Sequence, residues 1–260
     1  MAGPTRLLFQ PGGSLIHRVH PATKLLYAVA MTAYGIVLDQ VLPLLALAGL
    51  SVLVIAVGGV FRAFVRTTFR YLVVLFVFLF IIRGLFYDPG GAETFSVGPL
   101  DLKPAGVVFA VEMSLRITAM VGAFLAVILT THPADLVQAI EQLGASPRVG
   151  YIVLATLQLT PEMVDRARRI MDAQRSRGLR TEGSLLIRTR GLFPLVAPLF
   201  YGSLMSVEAK AMALTARGFF SQRKKTHIRS LGMFAWEPGF RIALVALLPI
   251  LIGFRVAGWL

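Results

Sequence analysis

Apolar runs of membrane-spanning length constrain this chain more than any other feature of its sequence. A helix that crosses a bilayer needs about 20 mostly apolar residues, and five segments approach or exceed that length. These segments are Leu25–Leu38, Val41–Val60, Tyr71–Tyr87, Ala105–Thr130 and Phe240–Leu260. We therefore expect an all-α fold, a polytopic helical membrane protein with about five transmembrane helices and a cytoplasmic helical region.

The composition supports a lipid environment and removes several kinds of chemistry. Hydrophobic residues make up 56% of the 260-residue chain and charged residues only 15%, whereas soluble domains carry about 25% charged residues. The absence of cysteine excludes disulfides, thiolate metal sites and cysteine nucleophiles. The polar N-terminus lacks the apolar region of a cleavable signal peptide, so we expect the first span to direct insertion.

The distribution of positive charge predicts the orientation of the spans. Arg62, Arg66 and Arg70 lie between the second and third spans, whereas residues 88–103, between the third and fourth, hold three acids and one base. Because Lys and Arg concentrate in cytoplasmic loops, we expect a cytoplasmic N-terminus and an external C-terminus. The predicted layout is a cytoplasmic segment 1–24, four spans within 25–130, a cytoplasmic region 131–239 and a final span 240–260.

The predicted cytoplasmic region 131–239 is strongly basic. Fifteen Lys and Arg against eight Asp and Glu leave it a net charge of +7, more than half of the chain's +13. Such charge suits anionic lipid or an acidic protein partner, and nucleic acid is not expected to bind so apolar a chain. The basic cluster Gln222–Arg229, just before the last span, is the predicted contact with anionic lipid, and contact with an ATPase is the alternative.

Two apolar runs within this region, Val149–Leu159 and Gly191–Met205, are interrupted by proline, glycine or polar residues. We interpret both as amphipathic helices that lie at the membrane surface. A short extra span over Leu192–Met205 is the alternative, although Pro194 and Pro198 disfavour an uninterrupted one.

Two helices with clear start or stop signals are predicted after these runs. Thr160 and Pro161 suit the cap and the first position of a helix. We expect that helix to cover Met163–Arg177 and to stop at Gly178, because glycine is a common helix terminator. The second helix, Val207–Gly218, is rich in strong helix formers and also ends in glycine.

Both predicted helices end in the same pattern, small-x-x-small-Arg-Gly. The residues are Ala173, Ser176, Arg177 and Gly178 in the first helix, and Ala213, Ala216, Arg217 and Gly218 in the second. One such ending would indicate only a helix stop. Two endings with identical spacing indicate a repeated binding device. Small residues leave a thin helix end that can enter a groove, and arginine offers a planar set of donors to carboxylates or carbonyls.

With these motifs the chain resembles the transmembrane T component of energy-coupling factor (ECF) transporters, the vitamin and metal importers of prokaryotes. The second ending, 213–218, matches that family's Ala-x-x-Ala-Arg-Gly signature, and the first departs from it by Ser176. The stretch Pro11–Leu25 also resembles the family's entry into the first span. The resemblance covers nearly the whole chain.

The resemblance implies a scaffold in the cell membrane, without catalytic residues or cofactors. In this family the T component links two cytoplasmic ATP-binding cassette (ABC) ATPase subunits to a small substrate-binding membrane subunit. By that resemblance Arg177 and Arg217 would each dock one ATPase, and 131–239 would be the coupling-helix region. The apolar faces of the same helices would hold the substrate-binding subunit. The chain lacks the phosphate loop G-x-x-x-x-G-K-[ST], so ATP hydrolysis is expected in the partners.

Three smaller features carry further expectations. Glu112 and Arg116 lie four positions apart on one face of the fourth span, and because charges within a membrane usually pair, we expect an ion pair that fixes helix packing. Arg83 is expected to extend its guanidinium toward the outer surface. No two of the four histidines share the helical spacing of metal ligands, so no metal site is expected.

Two other classes of protein remain open at this point. An ordinary ABC-importer permease also has a cytoplasmic coupling element, and Glu141–Gly144 faintly resembles its coupling loop. Such a permease would not need two Arg-Gly helix ends. A membrane enzyme acting on anionic lipid could use the arginines as phosphate binders, but no recognisable catalytic motif is present.

Overall fold

The structure, a computed structural model, describes residues 12–86, 95–97, 100–102, 104–179, 185–221 and 231–256. Its helices are α1 Leu15–Arg18, α2 Pro21–Val37, α3 Val41–Val57, α4 Phe61–Phe86, α5 Pro104–Thr130, α6 Pro133–Gln142, α7 Pro147–Ser176, α8 Leu185–Ala216 and α9 Glu237–Val256. Between α4 and α5, strands β1 Phe95–Val97 and β2 Leu100–Leu102 pair in an antiparallel hairpin. The predicted helical membrane class is confirmed, with this hairpin as a small addition.

The chain forms two compact units. The first unit comprises Met1–Leu143 and Ser230–Leu260, and the second comprises Gly144–Arg229. The predicted cytoplasmic region 131–239 therefore does not coincide with either unit, because α6 and the residues after 229 belong to the first one. Glu237 gives the physical reason, since its carboxylate is fully buried and accepts a hydrogen bond from Thr23 of α2.

Apolar helices make up most of the first unit. Among the described residues, α5 and α9 are long and apolar enough to cross a membrane, while α3 and the Leu72–Gly84 part of α4 are shorter apolar helices. Large apolar side chains such as Leu42, Val74 and Phe78 are exposed on these helices. That surface suits a lipid surrounding, because lipid is as apolar as the side chains themselves. The number of spans stays a prediction.

Helix α2 runs antiparallel to α5. At the start of α2, Lys24 Nζ donates to the carbonyl oxygen of Thr130, the last residue of α5, at 3.0 Å. Just past the end of α2, the carbonyl of Leu38 accepts from Arg116 Nη2 at 2.7 Å. These contacts place the start of one helix at the end of the other, as expected of two neighbouring helices that cross a bilayer in opposite directions.

Helix α9 runs parallel to α2, although more than 200 residues separate them. Thr23, in the first turn of α2, donates from Oγ1 to Glu237 Oε2 at the start of α9, at 2.5 Å. At the other end, Arg255 Nη1 in the last turn of α9 donates to the carbonyl of Ile36 at 3.1 Å. Tyr34 donates to the carbonyl of Leu244 between them. The last helix therefore packs along the first long one over its length.

Small residues allow α5 to approach its neighbours closely. Ala119 and Ala123 are fully buried in the core that α2, α3 and α5 share. At the start of α5, a Cβ atom on Gly106 would lie 2.0 Å from the carbonyl oxygen of Arg83 on α4. The guanidinium carbon of Arg83 stands 4.5 Å from the centre of the Phe109 ring, a cation–π contact between the same two helices. Small residues at helix contacts are the usual basis of packing in lipid.

We predict that Gly106→Ala destabilises the first unit by about 1–3 kcal/mol, because the added methyl group would overlap backbone that cannot move aside easily. Gly49→Ala is the matched control, since nothing among the described residues lies within 4 Å of a Cβ at that position on α3. Thermal unfolding of the purified protein in detergent should give a lower midpoint for Gly106→Ala alone. Equal midpoints for both variants would contradict this packing.

Candidate functional site

The two helices of the second unit are longer than the sequence predicts. Helix α7 begins at Pro147, where Ser146 Oγ accepts from the N–H of Val149 at 3.4 Å, and continues through Pro161 to Ser176. The predicted start at Thr160-Pro161 is wrong, because Thr160 Oγ1 donates to the carbonyl of Thr156 as an interior helix residue. A proline removes one backbone hydrogen bond and can bend a helix without ending it.

The predicted start of the second helix at Val207 is also wrong, because Val207 lies inside α8. It runs from Leu185 to Ala216 and contains both Pro194 and Pro198. The apolar runs predicted as separate amphipathic helices, 149–159 and 191–205, are therefore the first halves of α7 and α8. Helix α7 has an apolar first half and a polar second half, whereas α8 carries two charged residues in each half, and both helices are followed by Arg-Gly.

Three contacts show that α7 and α8 pack antiparallel. The rings of Tyr151, near the start of α7, and Phe219, just after α8, have centres 5.2 Å apart. Glu162 Oε2 accepts from Lys210 Nζ at 3.2 Å near the middle. Further along α7, Arg166 packs on Gly202 of α8, where a Cβ would lie 3.4 Å from its Nη1.

This arrangement places the two Arg-Gly ends at opposite ends of the helix pair. Arg217 lies level with the region around Tyr151, and about 24 residues of α7 separate that level from Arg177. At 1.5 Å per helical residue, the two arginines are about 36 Å apart along α7. The second unit thus presents the same motif twice, at two well-separated places.

The end of α7 is a Schellman motif. The N–H of Leu179 donates to the carbonyl of Gln174 at 3.0 Å, and the N–H of Gly178 donates to the carbonyl of Arg175 at 2.9 Å. Gly178 has φ +90°, a left-handed conformation that costs an L residue about 1–2 kcal/mol. The glycine is therefore required by the backbone, and Arg177 is the cap residue that it leaves at the tip.

The end of α8 repeats this geometry. The N–H of Phe219 donates to the carbonyl of Leu214 at 3.0 Å, the N–H of Gly218 donates to that of Thr215 at 3.0 Å, and Gly218 has φ +68°. Both helix ends lie at the glycines that the sequence predicts. Since the caps use the same two hydrogen bonds, Arg177 and Arg217 leave their helices at equivalent positions.

All eight motif residues are exposed in the second unit: Ala173, Ser176, Arg177, Gly178, Ala213, Ala216, Arg217 and Gly218. No described carboxylate lies within ion-pair distance of Arg177 or Arg217, although Arg166 binds Glu162 at 2.9 Å on the same helix. Nothing among the described residues stands within 4 Å of a Cβ at either glycine. Among the described residues, the motif arginines thus have no acidic partner.

Arg116 pairs with a different acid from the one predicted. Its Nη2 lies 2.9 Å from Asp39 Oδ1, and Arg255 Nη2 lies 2.6 Å from the other oxygen of the same carboxylate. The predicted Glu112–Arg116 pair is therefore replaced by an Asp39–Arg116 pair. The reason is the end of α2, whose unpaired terminal carbonyls attract both arginines, as in the bond from Arg116 to Leu38.

A buried polar cluster of the first unit escaped the sequence analysis. It contains His20, Thr23, Lys24 and Glu237, which are all buried. The sequence does contain a signal for part of this cluster, the tripeptide His-Pro-Ala, which occurs at 20–22 and again at 132–134. Its histidine is the N-cap residue of α2 in the first case and of α6 in the second. A ring nitrogen of each histidine accepts from the backbone N–H two residues on, at 3.2 Å.

Comparison with known proteins agrees with the motifs. The family described as CbiQ, cobalt transport protein, matches residues 12–228. The energy-coupling factor transporter transmembrane protein EcfT of Brevibacillus brevis is 26% identical over 254 residues, 94% of this chain and 95% of that protein. The protein of the same name from Thermosediminibacter oceani is 29% identical over 232 residues, 86% of this chain and 87% of that one. A putative ABC transporter ATP-binding protein of Bifidobacterium longum is 26% identical over 251 residues, 93% of this chain but 32% of the longer relative.

We predict that Gly218→Ala loosens the end of α8, because an L residue at φ +68° costs about 1–2 kcal/mol. Amide hydrogen exchange of a peptide covering 213–220 should accelerate by about 5- to 30-fold. Gly218→Asn should show a smaller effect, since asparagine tolerates this conformation better. Gly202→Ala, an ordinary helical position of α8, is the control, and acceleration by that variant as well would contradict the prediction.

Proposed function

Because the chain belongs to the CbiQ family of cobalt transport proteins, we propose that it is the transmembrane T component of an ECF-type ABC importer. The observation that carries the proposal is the pair of identical, exposed helix ends at Arg177 and Arg217. Relatives that match nearly the whole chain are named energy-coupling factor transporter transmembrane proteins. The family match favours this role over both an ordinary permease and a lipid-modifying enzyme.

In this role each Arg-Gly end docks one ABC ATPase subunit. Two equivalent ends suit two related subunits, and about 36 Å between them leaves room for separate contact sites. The unpaired guanidinium groups can bind carboxylates or helix-end carbonyls with two parallel hydrogen bonds. The Bifidobacterium longum relative named as an ATP-binding protein supports an ATPase partner. Without a phosphate loop of its own, the chain receives its energy from that partner.

An exposed apolar stripe along α8 is the proposed contact for a small substrate-binding membrane subunit. Val196, Phe200 and Leu204 are exposed at successive four-residue intervals, so they form one stripe along the helix. Phe193 and Val207 extend the stripe at both ends. Such an aromatic and aliphatic face suits an equally apolar helix of another membrane protein. The imported substrate, a vitamin or a transition metal ion, would bind to that subunit.

The proposed location is the cell membrane of a prokaryote, with a cytoplasmic N-terminus. Residues 1–24 and 131–239 then lie on the cytoplasmic side, where positive charge concentrates, and the spans lie within 25–130 and 240–260. The opposite directions of α2 and α5 and the shared direction of α2 and α9 support this layout. The predicted contact of Gln222–Arg229 with anionic lipid lies outside the described residues and remains part of the proposal.

We predict that the double variant Arg177→Glu with Arg217→Glu loses ATPase recruitment but still inserts into the membrane. Each substitution removes a charge-assisted contact and adds a repelling charge, at a cost of about 2–5 kcal/mol per site. The amount of ATPase that copurifies with the tagged chain should therefore fall more than about tenfold. Quantitative mass spectrometry of the purified complex measures this ratio.

Arg169→Glu is the matched control for charge, because Arg169 is exposed on α7 but lies outside the motif. It should retain ATPase at the wild-type ratio. Native mass spectrometry should show that the complex of each single variant has lost one ATPase subunit. If the double variant keeps wild-type ATPase levels, the Arg-Gly ends are helix stops and the proposal is wrong.

We predict that Phe200→Glu removes the substrate-binding subunit from the complex while the ATPases stay bound, because a carboxylate cannot be buried in an apolar helix contact without a partner. Ala209→Glu adds the same charge on the opposite face of α8 and serves as the control. Copurification followed by mass spectrometry checks both. Retention of the small subunit by Phe200→Glu would place its contact elsewhere.

A further inference from the structure

The carboxylate of Glu237 organises a buried polar network in the first unit. Glu237 is fully buried at the start of α9 and accepts from Thr23 Oγ1 at 2.5 Å and from the N–H of Phe234 at 3.0 Å. The backbone N–H of His20 lies 3.3 Å from each of its oxygens. Arg241 Nη2 forms an ion pair with Glu237 Oε2 at 3.8 Å. The carboxylate thus holds α9 against the start of α2.

The imidazole of His20 extends the same network to α6. Its Nδ1 accepts from the N–H of Ala22 at 3.2 Å and faces Arg241 Nη2 at 3.2 Å. Both neighbours are donors, so Nδ1 carries no proton, and the proton lies on Nε2. From there it is donated to Gln142 Oε1 at 3.0 Å. One imidazole ring therefore joins the starts of α2 and α9 to the end of α6.

The partners of His20 lie close, along the chain, to the two connections between the units. Gln142 is the last residue of α6, and the chain enters the second unit at Gly144. Glu237 is the first residue of α9, and the chain has returned to the first unit by Ser230. Gly144 follows Gln142 by two positions, and Ser230 precedes Glu237 by seven, so groups that His20 or its backbone binds lie near both connections along the chain.

A buried charged network of this kind fixes the relative positions of helices more than it raises the free energy of unfolding. Burying the carboxylate of Glu237 costs several kcal/mol, which the attraction of the partly buried Arg241 and the hydrogen bonds offset only when the geometry is good. An apolar cluster of the same volume would hold the helices together equally well. The hydrogen bonds of His20 and Thr23, in contrast, permit one relative position of α6 and α9.

We propose that His20 is a positioning residue for energy coupling, which holds the end of α6 and the start of α9 at a fixed separation. The end of α6 and the start of α9 are the helix ends nearest to the two connections with the second unit. When the ATPases displace the second unit, these two helix ends then move together, and the first unit moves as one body. This inference rests on the proposed function, because it assumes that ATPases move the second unit.

His132 offers a matched control within the chain. It caps α6 as His20 caps α2, with Nδ1 accepting from the N–H of Ala134 at 3.2 Å ahead of an equivalent proline. His132→Ala and His20→Ala thus remove the same kind of helix cap. Of the two, only His20→Ala also removes a ring that bonds to Gln142.

The absence of cysteine allows a direct measurement of the separation. Leu143 and Met233 are 69% and 49% exposed on either side of the network, so both can be replaced by cysteine and spin-labelled. Electron paramagnetic resonance distances would be recorded on the full complex in lipid nanodiscs, without nucleotide and after trapping with ADP and vanadate. ATP hydrolysis by the same samples would be measured in parallel.

We expect a narrow distance distribution with His20 present, with the same mean in both nucleotide states. His20→Ala should broaden it at least about twofold, while ATP hydrolysis stays within about twofold of the parent. His132→Ala should leave the width unchanged. Gln142→Ala removes the other partner of the ring from an exposed position and should broaden the distribution even if His20→Ala does not fold.

Three results would overturn the inference: equal widths in all variants, equal broadening by His132→Ala, or a distance that changes with nucleotide while His20 is intact. Failure of the proposed function is distinguishable from these outcomes. In that case no ATPase copurifies with the parent chain, yet the nucleotide-free distances of the chain alone still report whether His20 holds the two connections together.

Discussion

The buried carboxylate of Glu237 is the interaction on which the rest of the first unit depends. A charge removed from water needs donors, and Thr23 and the backbone N–H of His20 supply them from the α2 side. These bonds join the last helix to the first long one. With Arg255 bound at the opposite end of α2, the two helices are held parallel along their length. The remaining apolar helices pack around this frame with small residues at the closest contacts.

The second unit depends on a different constraint, the left-handed glycine at each helix end. Gly178 and Gly218 let the backbone close the same two hydrogen bonds, and this closure leaves an arginine at each tip. Other arginines of α7, such as Arg166, are held by carboxylates of their own helix. The motif arginines differ from it in having no described acid within reach. These two equal ends carry the proposed docking of two ATPase subunits.

Local signals predicted some parts of this arrangement well and others poorly. The helix ends at Gly178 and Gly218 were predictable because glycine's conformational freedom is a property of that single residue. The helix starts were not, since Pro161 is a good first residue in isolation and becomes an interior one only because the preceding turn is already helical. The partner of Arg116 was missed because a spacing rule compares only residues of one helix, whereas Asp39 lies in the connection between α2 and α3.

The sequence by itself determined the helical membrane class and the repeated Arg-Gly ends. These follow from residue type and short-range spacing, which local physics decides. Only the tertiary structure decided which charges pair, how far apart the two arginines lie, and that His20 joins α6 to α9. Those features depend on contacts between residues far apart in the chain, 77 positions for Arg116 with Asp39 and 122 for His20 with Gln142. Such contacts leave no periodicity in the chain that a sequence pattern could reveal.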